Sequence, residues 1–176
     1  VAGNFGTGNP ALFLLDLSKR AGDAWILGTN YYKISFPFDS TLSASKATGL
    51  INFKPALGAA GEVTQIFAGD LHGNLWKLDF SSFGTADWSI GNLSPFNKGT
   101  TADPIPLFIA KDGSGNVQPI TMAPSIAYGP SQQSSYVLFG TGKYMEVSDK
   151  SSTAQQSFYM VFDDGSSVLD STTATA

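Results

Sequence analysis

The chain has 176 residues, enough for one average domain, is 42% hydrophobic and only 14% charged, and carries a net charge of −4. That balance excludes a nucleic-acid module, which needs a lysine and arginine excess to meet phosphate, and no apolar run reaches the ~18 residues of a membrane-spanning helix. With no cysteine and one histidine, His72, the chain holds no disulfide, no thiolate nucleophile and no Cys- or His-rich zinc site.

The first predicted strand is 12–17, where Phe13, Leu15 and Leu17 fall on one face. The stretch from Pro37 to Pro55 has weak periodicity and reads as a long connection, with 42–50 as the best helix candidate. Gln65-Ile66-Phe67-Ala68 reads as a strand, 69–74 as a tight turn, and 75–80 as the return strand of a β-hairpin. In that return strand Trp76, Leu78 and Phe80 share one face and Lys77 and Asp79 the other. Within 81–101 the sequence suggests a short strand at Trp88-Ser89-Ile90. A second hairpin is expected between 107–110 and 117–120, around Asp112-Gly113-Ser114-Gly115-Asn116. Two more strands follow: 136–139, closed by Gly140-Thr141-Gly142, and 158–162, closed by Asp163-Asp164-Gly165. The Ser- and Thr-rich residues 166–176 read as a frayed tail.

Turn-forming Gly, Ser, Thr, Asn and Asp dominate the polar residues, glutamate occurs only at Glu62 and Glu146, and aromatics make up 12%. This is an all-β composition. Repeats refine it. The pattern of Phe13, Leu15, Asp16, Leu17 and Ser18 returns 63 residues later as Trp76, Leu78, Asp79, Phe80 and Ser81. Phe5-Gly6-Thr7-Gly8 returns as Phe139-Gly140-Thr141-Gly142, with Phe67-Ala68-Gly69-Asp70 as a weaker copy between them. Multi-strand units of that length suggest blades of a β-propeller. The chain would hold two to three blades, whereas a closed propeller has about 4–8. The expectation is a partial propeller over residues 1–165, a fragment of a larger protein.

Four phrases in order carry a family resemblance. Residues 65–79 resemble the "YAGDLxGNLWKFDL" phrase of the PilC/PilY type IV pilus proteins, in their C-terminal propeller. Residues 104–124 are similar to "PLFxAxDxxGNxQPITxAP", 137–144 to "VxFGTGKY", and 155–159 to "TQSFYGIWD". The resemblance implies part of a seven-bladed, modified propeller at the pilus tip, cell surface or outer membrane. It also implies roles in pilus assembly, counter-retraction and adhesion. The implied partners are minor pilins, other tip proteins and the rest of the parent chain, with a host-surface or glycan ligand as a further candidate.

Many members of that family carry a calcium loop just before the "AGD" strand. The corresponding ligand places here are Ala56, Gly58, Ala60 and Thr64. Three lack a side-chain oxygen, and calcium needs several converging hard oxygens. No calcium is therefore expected there, and no other cofactor is expected. Asp112, Ser114 and Asn116 imitate the first three positions of an EF-hand loop, but Val117 stands where glycine is needed and Ala123 where the bidentate acid belongs. A solvated hairpin turn fits better. His72, near Asp70, reads as an exposed turn histidine rather than a general base, and the Asp163-Asp164 pair as an exposed turn rather than an acid–base couple. Trp76 reads as core. Trp25, Trp88, Tyr31, Tyr32 and Tyr144 are the candidates for a sugar-stacking surface, with adjacent Tyr31 and Tyr32 pointing to opposite faces and one of them exposed. No catalytic residue is assigned. The alternatives to a structural and adhesive pilus protein are a quinoprotein-like propeller enzyme and a lectin-like module. The first is disfavoured by the missing cysteine pair.

Overall fold

The computed structural model describes residues 2, 3, 5, 6, 8–82, 84–129 and 134–165. Its strands form three separate antiparallel sheets in chain order. The first comprises β1 (Ala2–Gly3), β2 (Ala11–Leu15) and β3 (Tyr31–Ser35). The second comprises β4 (Leu50–Leu57), β5 (Val63–Asp70), β6 (Asn74–Asp79) and β7 (Phe108–Ile109). The third comprises β8 (Ser125–Tyr128), β9 (Ser135–Gly140) and β10 (Phe158–Asp163). Each sheet is a simple meander, with every strand paired to its sequence neighbour.

The sheets approach one another most closely along their first strands. β4 meets β1 on one side and β8 on the other. From that line they fan out, and side chains fill the two wedges between them. One wedge holds Leu12, Ile34 and Phe36 of the first sheet's region against Ile66, Ala68, Trp76 and Leu78 of the second. The other holds Phe67 and Leu75 against Val137 and Phe139, with Tyr159 and Val161 packed on them. The middle sheet is therefore buried on both faces, and β5 is buried without interruption from Ile66 to Asp70. Small meandering sheets packed face to face around a common line are sectors of a β-propeller. The fold is a partial propeller of three sectors.

Backbone bonds stitch the sectors together where the chain enters each new sheet. Thr48 N donates to Gly6 O (2.6 Å), tying the entry to the second sheet to the first sector, while the bond from Leu71 N to Gly49 O (3.0 Å) prolongs the β4–β5 ladder within the second. Likewise Ile120 N donates to Asp70 O (2.9 Å), tying the entry to the third sheet to the second sector, while the bond from Gly142 N to Pro119 O (2.7 Å) lies within the third. Two threonine hydroxyls add to these junctions: Thr48 Oγ1 donates to Gly6 O (3.1 Å) and Thr121 Oγ1 to Gly142 O (2.7 Å). The Gly-rich repeat marks these junctions.

Its register needs correction. Aligning Phe67 with Phe139 would make them equivalent positions of successive sheets. Both instead point into the same wedge from opposite sides, and Ala68, which faces the preceding sector as Phe139 does, is its equivalent. A one-residue slip exchanges the two faces of a strand. The other repeat stands as read. In both copies the aspartate Oδ1 accepts from the amide and hydroxyl two residues on, Asp16 from Ser18 (2.8 and 2.7 Å) and Asp79 from Ser81 (2.8 and 2.5 Å).

Four local expectations change. β4 begins inside the stretch read as a connection and runs two residues past it. Pro55 hid it, because proline cannot donate to a ladder; β4 is an edge strand, where that loss is tolerated. The expected helix at 42–50 shrinks to one turn, α1 (Ser40–Ser43), capped by Asp39 Oδ1 accepting from Thr41 N and Leu42 N. The expected strand at 88–90 is absent; Thr85–Asp87 is a 3₁₀ turn and α2 (Ile90–Leu93) follows, capped by Ser89. In the second expected hairpin, only Phe108–Ile109 forms a strand, and it pairs back to β6. Residues 117–120 lead on to the third sheet, although Gln118 N still donates to Ala110 O (2.9 Å). The tail expected at 166–176 lies outside the described residues.

Candidate functional site

The β5–β6 turn and the turn after β7 are built alike, from Asp70-Leu71-His72-Gly73-Asn74 and Asp112-Gly113-Ser114-Gly115-Asn116. In the first, Asp70 Oδ1 accepts from His72 N and Asn74 N (both 2.9 Å) and Oδ2 from Asn74 Nδ2 (2.8 Å). In the second, Asp112 Oδ1 accepts from Ser114 N and Asn116 N (both 2.9 Å) and Oδ2 from Asn116 Nδ2 (3.0 Å). Each turn closes through a left-handed glycine, Gly73 at φ 81° and Gly115 at φ 84°. The shared D-x-x-G-N spacing is visible in the sequence and is the signal that would have paired these turns.

Environment separates the two carboxylates. Asp70 is buried, and burial pushes its carboxyl up despite a fourth donor, Trp76 Nε1 at 3.0 Å. Asp112 lies near solvent, and its bonds from the Asn116 side chain and backbone hold it below the usual carboxylate range. The same donors lower one carboxyl and fail to lower the other because desolvation opposes the charged form only where water is excluded.

His72 is buried, not exposed, with 4% of its surface accessible; its Nε2 lies 3.2 Å from Lys46 O. The incoming chain before β4 covers this turn, which turn chemistry alone cannot reveal. Asp70 faces backbone, asparagine and indole N–H donors. The pair is thus a structural joint, without a nucleophile positioned beside it. Asp163 is likewise buried rather than in an exposed turn. It ends β10 and meets Lys77 Nζ of β6 at 2.9 Å (Oδ1) and 2.6 Å (Oδ2), with both side chains almost wholly enclosed. The aligned hydrogen bond runs to Oδ1, and Oδ2 makes a close ionic contact. This ion pair ties the second sector to the third.

Trp76 is core, as expected, with its ring 5.4 Å from that of Phe36. Tyr31 and Tyr32 do diverge, but both are half-buried: Tyr32 packs edge-on to Trp88 (5.1 Å) and Tyr31 to Trp25 (6.4 Å). Trp25 is 49% and Tyr144 75% exposed, and the structure does not gather the five aromatic candidates into one platform. Of the calcium-loop positions, Ala56 is buried in β4, while Gly58 and Ala60 belong to the β4–β5 turn. That turn is closed by Gly58 N donating to Glu62 O (2.8 Å) and Ala60 N to Glu62 Oε2 (2.9 Å). Thr64 Oγ1 donates to Ala56 O (3.3 Å). No cluster of three His, Asp or Glu side chains converges among the described residues.

Beside the buried turn lies an open groove of about 1140 Å³. Its walls are the α1 segment, the residues 96–109, and the Asp112 turn. Phe38, Leu42, Phe96, Ile105 and Leu107 give it apolar surface, and Lys46, Lys98 and Lys111 stand around it. These lysines come from three distant stretches of chain, so no local motif announced them.

Among the described residues, the outward faces of the end sectors carry exposed apolar side chains. On the third sheet Phe158, Met160 and Phe162 are 71%, 64% and 52% exposed. On the first, Phe13 and Leu15 occupy the places that Trp76 and Leu78 hold in the second. Trp76 and Leu78 are covered by the preceding sector, whereas Leu15 is 40% exposed.

Comparison with known proteins agrees with this architecture. The family model of the PilY1 beta-propeller domain matches residues 54–175. The chain is 37% identical over 110 residues to a type IV pilus biogenesis factor PilY1 homolog of Xylella fastidiosa, covering 62% of this chain and 7% of that protein. It is 32% identical over 163 residues to the type IV pilus biogenesis factor PilY1 of Pseudomonas aeruginosa strain UCBPP-PA14, covering 85% of this chain and 13% of the relative. The chain thus spans only about a tenth of such relatives' length. The crystal structure of the Pseudomonas aeruginosa PilY1 C-terminal domain superposes with a TM-score of 0.63 at 25% identity, over 90% of this chain and 33% of that one. These relatives are named as pilus biogenesis factors, not as enzymes. With the family model matching more than half its length, the chain belongs to the PilY1 β-propeller domain family.

Proposed function

We propose that this chain contributes three consecutive sectors, within residues 1–165, to a larger and seven-bladed propeller of a pilus-tip or cell-surface protein. The protein supports type IV pilus assembly, opposes pilus retraction and contributes to surface attachment. Its first partners are the remaining sectors of its own parent chain, and beyond them minor pilins and tip proteins. The observation that carries this reading is the pair of apolar outward faces. Phe158, Met160 and Phe162 are left open on one flank, and Leu15, at the position equivalent to buried Leu78, is exposed on the other, within a family named for pilus biogenesis. Contiguous exposed apolar surface of this kind marks an interaction face.

The test is genetic. Disrupting the parent reading frame in a piliated bacterium should abolish surface pili and twitching. Disabling the retraction motor in the same strain should restore the pili. Unchanged pili in the first strain would remove the assembly role, and failure of restoration in the second would remove the counter-retraction role.

A further inference from the structure

The groove beside the Asp70 turn opens to the surface at the rim of the sector packing, with Trp76 and Phe108 contributing both to its wall and to the wedges. We infer that it binds an extended, acidic polypeptide segment carrying apolar anchor side chains.

Three observations point to that class of ligand. The first is charge. The chain is acidic as a whole, yet Lys46, Lys98 and Lys111 line this groove and none of them forms a salt bridge among the described residues. Of the two lining carboxylates, Asp39 has its Oδ1 engaged in capping α1, which leaves Asp103. Lys46 acts on the nearby Asp112 carboxylate without a contact ion pair, and a rim of ammonium groups free of contact ion pairs steers and retains an anionic partner.

The second is the surface between the lysines. Phe38, Leu42, Pro104, Ile105, Pro106 and Leu107 present carbon along the wall, interrupted by the amides of Asn97 and Asn116. Apolar side chains spaced along a peptide fit such a surface.

The third is the sheet edge. β7 ends the second sheet and lines the groove with Phe108 and Ile109. An edge strand offers unpaired backbone groups to an added extended chain. The walls are already ordered to receive it. Residues 96–105 fold back through Lys98 N donating to Asp103 O (2.9 Å) and Ile105 N to Phe96 O (3.0 Å), and Tyr159 Oη donates to Lys111 O (2.8 Å), fixing the base of the third lysine. At about 1140 Å³ the groove exceeds the ~300–1,000 Å³ of ordinary small-molecule sites and suits several peptide residues.

The measurement is fluorescence anisotropy on the protein carrying this chain, with three probes. These are a labelled octapeptide alternating Glu or Asp with Leu, Ile or Phe, the same peptide with Lys for the acids, and labelled polygalacturonate. The acidic peptide should bind saturably and weaken as salt rises. The variants Lys98→Gln and Lys111→Gln should each weaken it several-fold, and Lys46→Glu/Lys98→Glu/Lys111→Glu by more than about tenfold. Lys54→Glu, an exposed lysine of β4 outside the groove, should leave binding unchanged, and Ile105→Asp should weaken it with the unfolding midpoint monitored alongside. Equal binding of the basic peptide, tighter binding of polygalacturonate, or full affinity in the triple variant would each overturn the proposal. Because the readout is direct binding, it stands or falls independently of any pilus phenotype.

Discussion

Replacing Lys77 with methionine tests the claim that the second and third sectors are held by a buried ion pair. The ammonium lies 2.6–2.9 Å from both oxygens of Asp163, and the side chains are 3% and 2% accessible. At an effective dielectric of about 20, the Coulomb attraction at that distance is about 6 kcal/mol. Desolvation of the two ions costs several kcal/mol each, so the net value of the intact pair is small. Removing one partner is a different matter. Methionine keeps the volume of the lysine stem but leaves Asp163 enclosed, with a backbone donor at Gly165 N (3.2 Å). Breaking a buried pair in this way costs about 3–5 kcal/mol. The double variant Lys77→Met/Asp163→Leu removes both charges and should recover most of that loss. Urea unfolding of the four proteins of the cycle gives the coupling energy directly. If Lys77→Met cost under about 1 kcal/mol, as an exposed pair would, the enclosure of this pair would be wrong. A double variant no more stable than Lys77→Met would contradict the reasoning about the orphaned carboxylate.

The two D-x-x-G-N turns should respond differently to the same change. Gly115→Ala meets open space and should cost about 1–2 kcal/mol for its left-handed backbone. In Gly73→Ala the new Cβ would lie 2.8 Å from Ala110 O and 2.9 Å from Gln118 O, adding about 1–3 kcal/mol of overpacking on denaturant titration. On the open face of the third sheet, Phe158→Asp/Met160→Asp should reduce self-association of this chain in light scattering; in the longer parent protein the same change should lower the unfolding midpoint, and no effect in either setting would argue against an adjoining sector. In the loop before β10, Lys143, then Met145 N and Glu146 N, hold the Asp149 carboxyl down at about 2, from an ordinary 3.8. A depressed acid stabilises above its unfolded value, so the order of this loop should be full above pH ~4 and decline as pH falls toward 2. Carboxyl chemical shifts of Asp149 against pH provide the check, and Asp149→Asn should abolish the transition.

The strand content, the tight Asp70 turn, the core role of Trp76 and the repeated unit were legible in the amino-acid order. They depend on side-chain alternation, turn chemistry and local recurrence, which a linear chain displays. β4 was not legible, because Pro55 breaks the local pattern and only its edge position makes the proline harmless. The burial of His72 and Asp163 was not legible either. His72 is covered by Lys46, 26 residues upstream, and Asp163 is met by Lys77, 86 residues away. Nor was the register of the Gly-rich repeat, since sequence similarity is blind to a one-residue slip that turns a side chain from one wedge into the next.

Sequence by itself therefore determined that this protein is a run of short, two-faced antiparallel sheets, because facing and turning are encoded within a few residues. Only the tertiary structure decided which polar groups are enclosed, which lysines share a groove and which apolar faces stand open. Those properties arise from the order in which sheets stack, and stacking brings together residues whose separation along the chain carries no local signal.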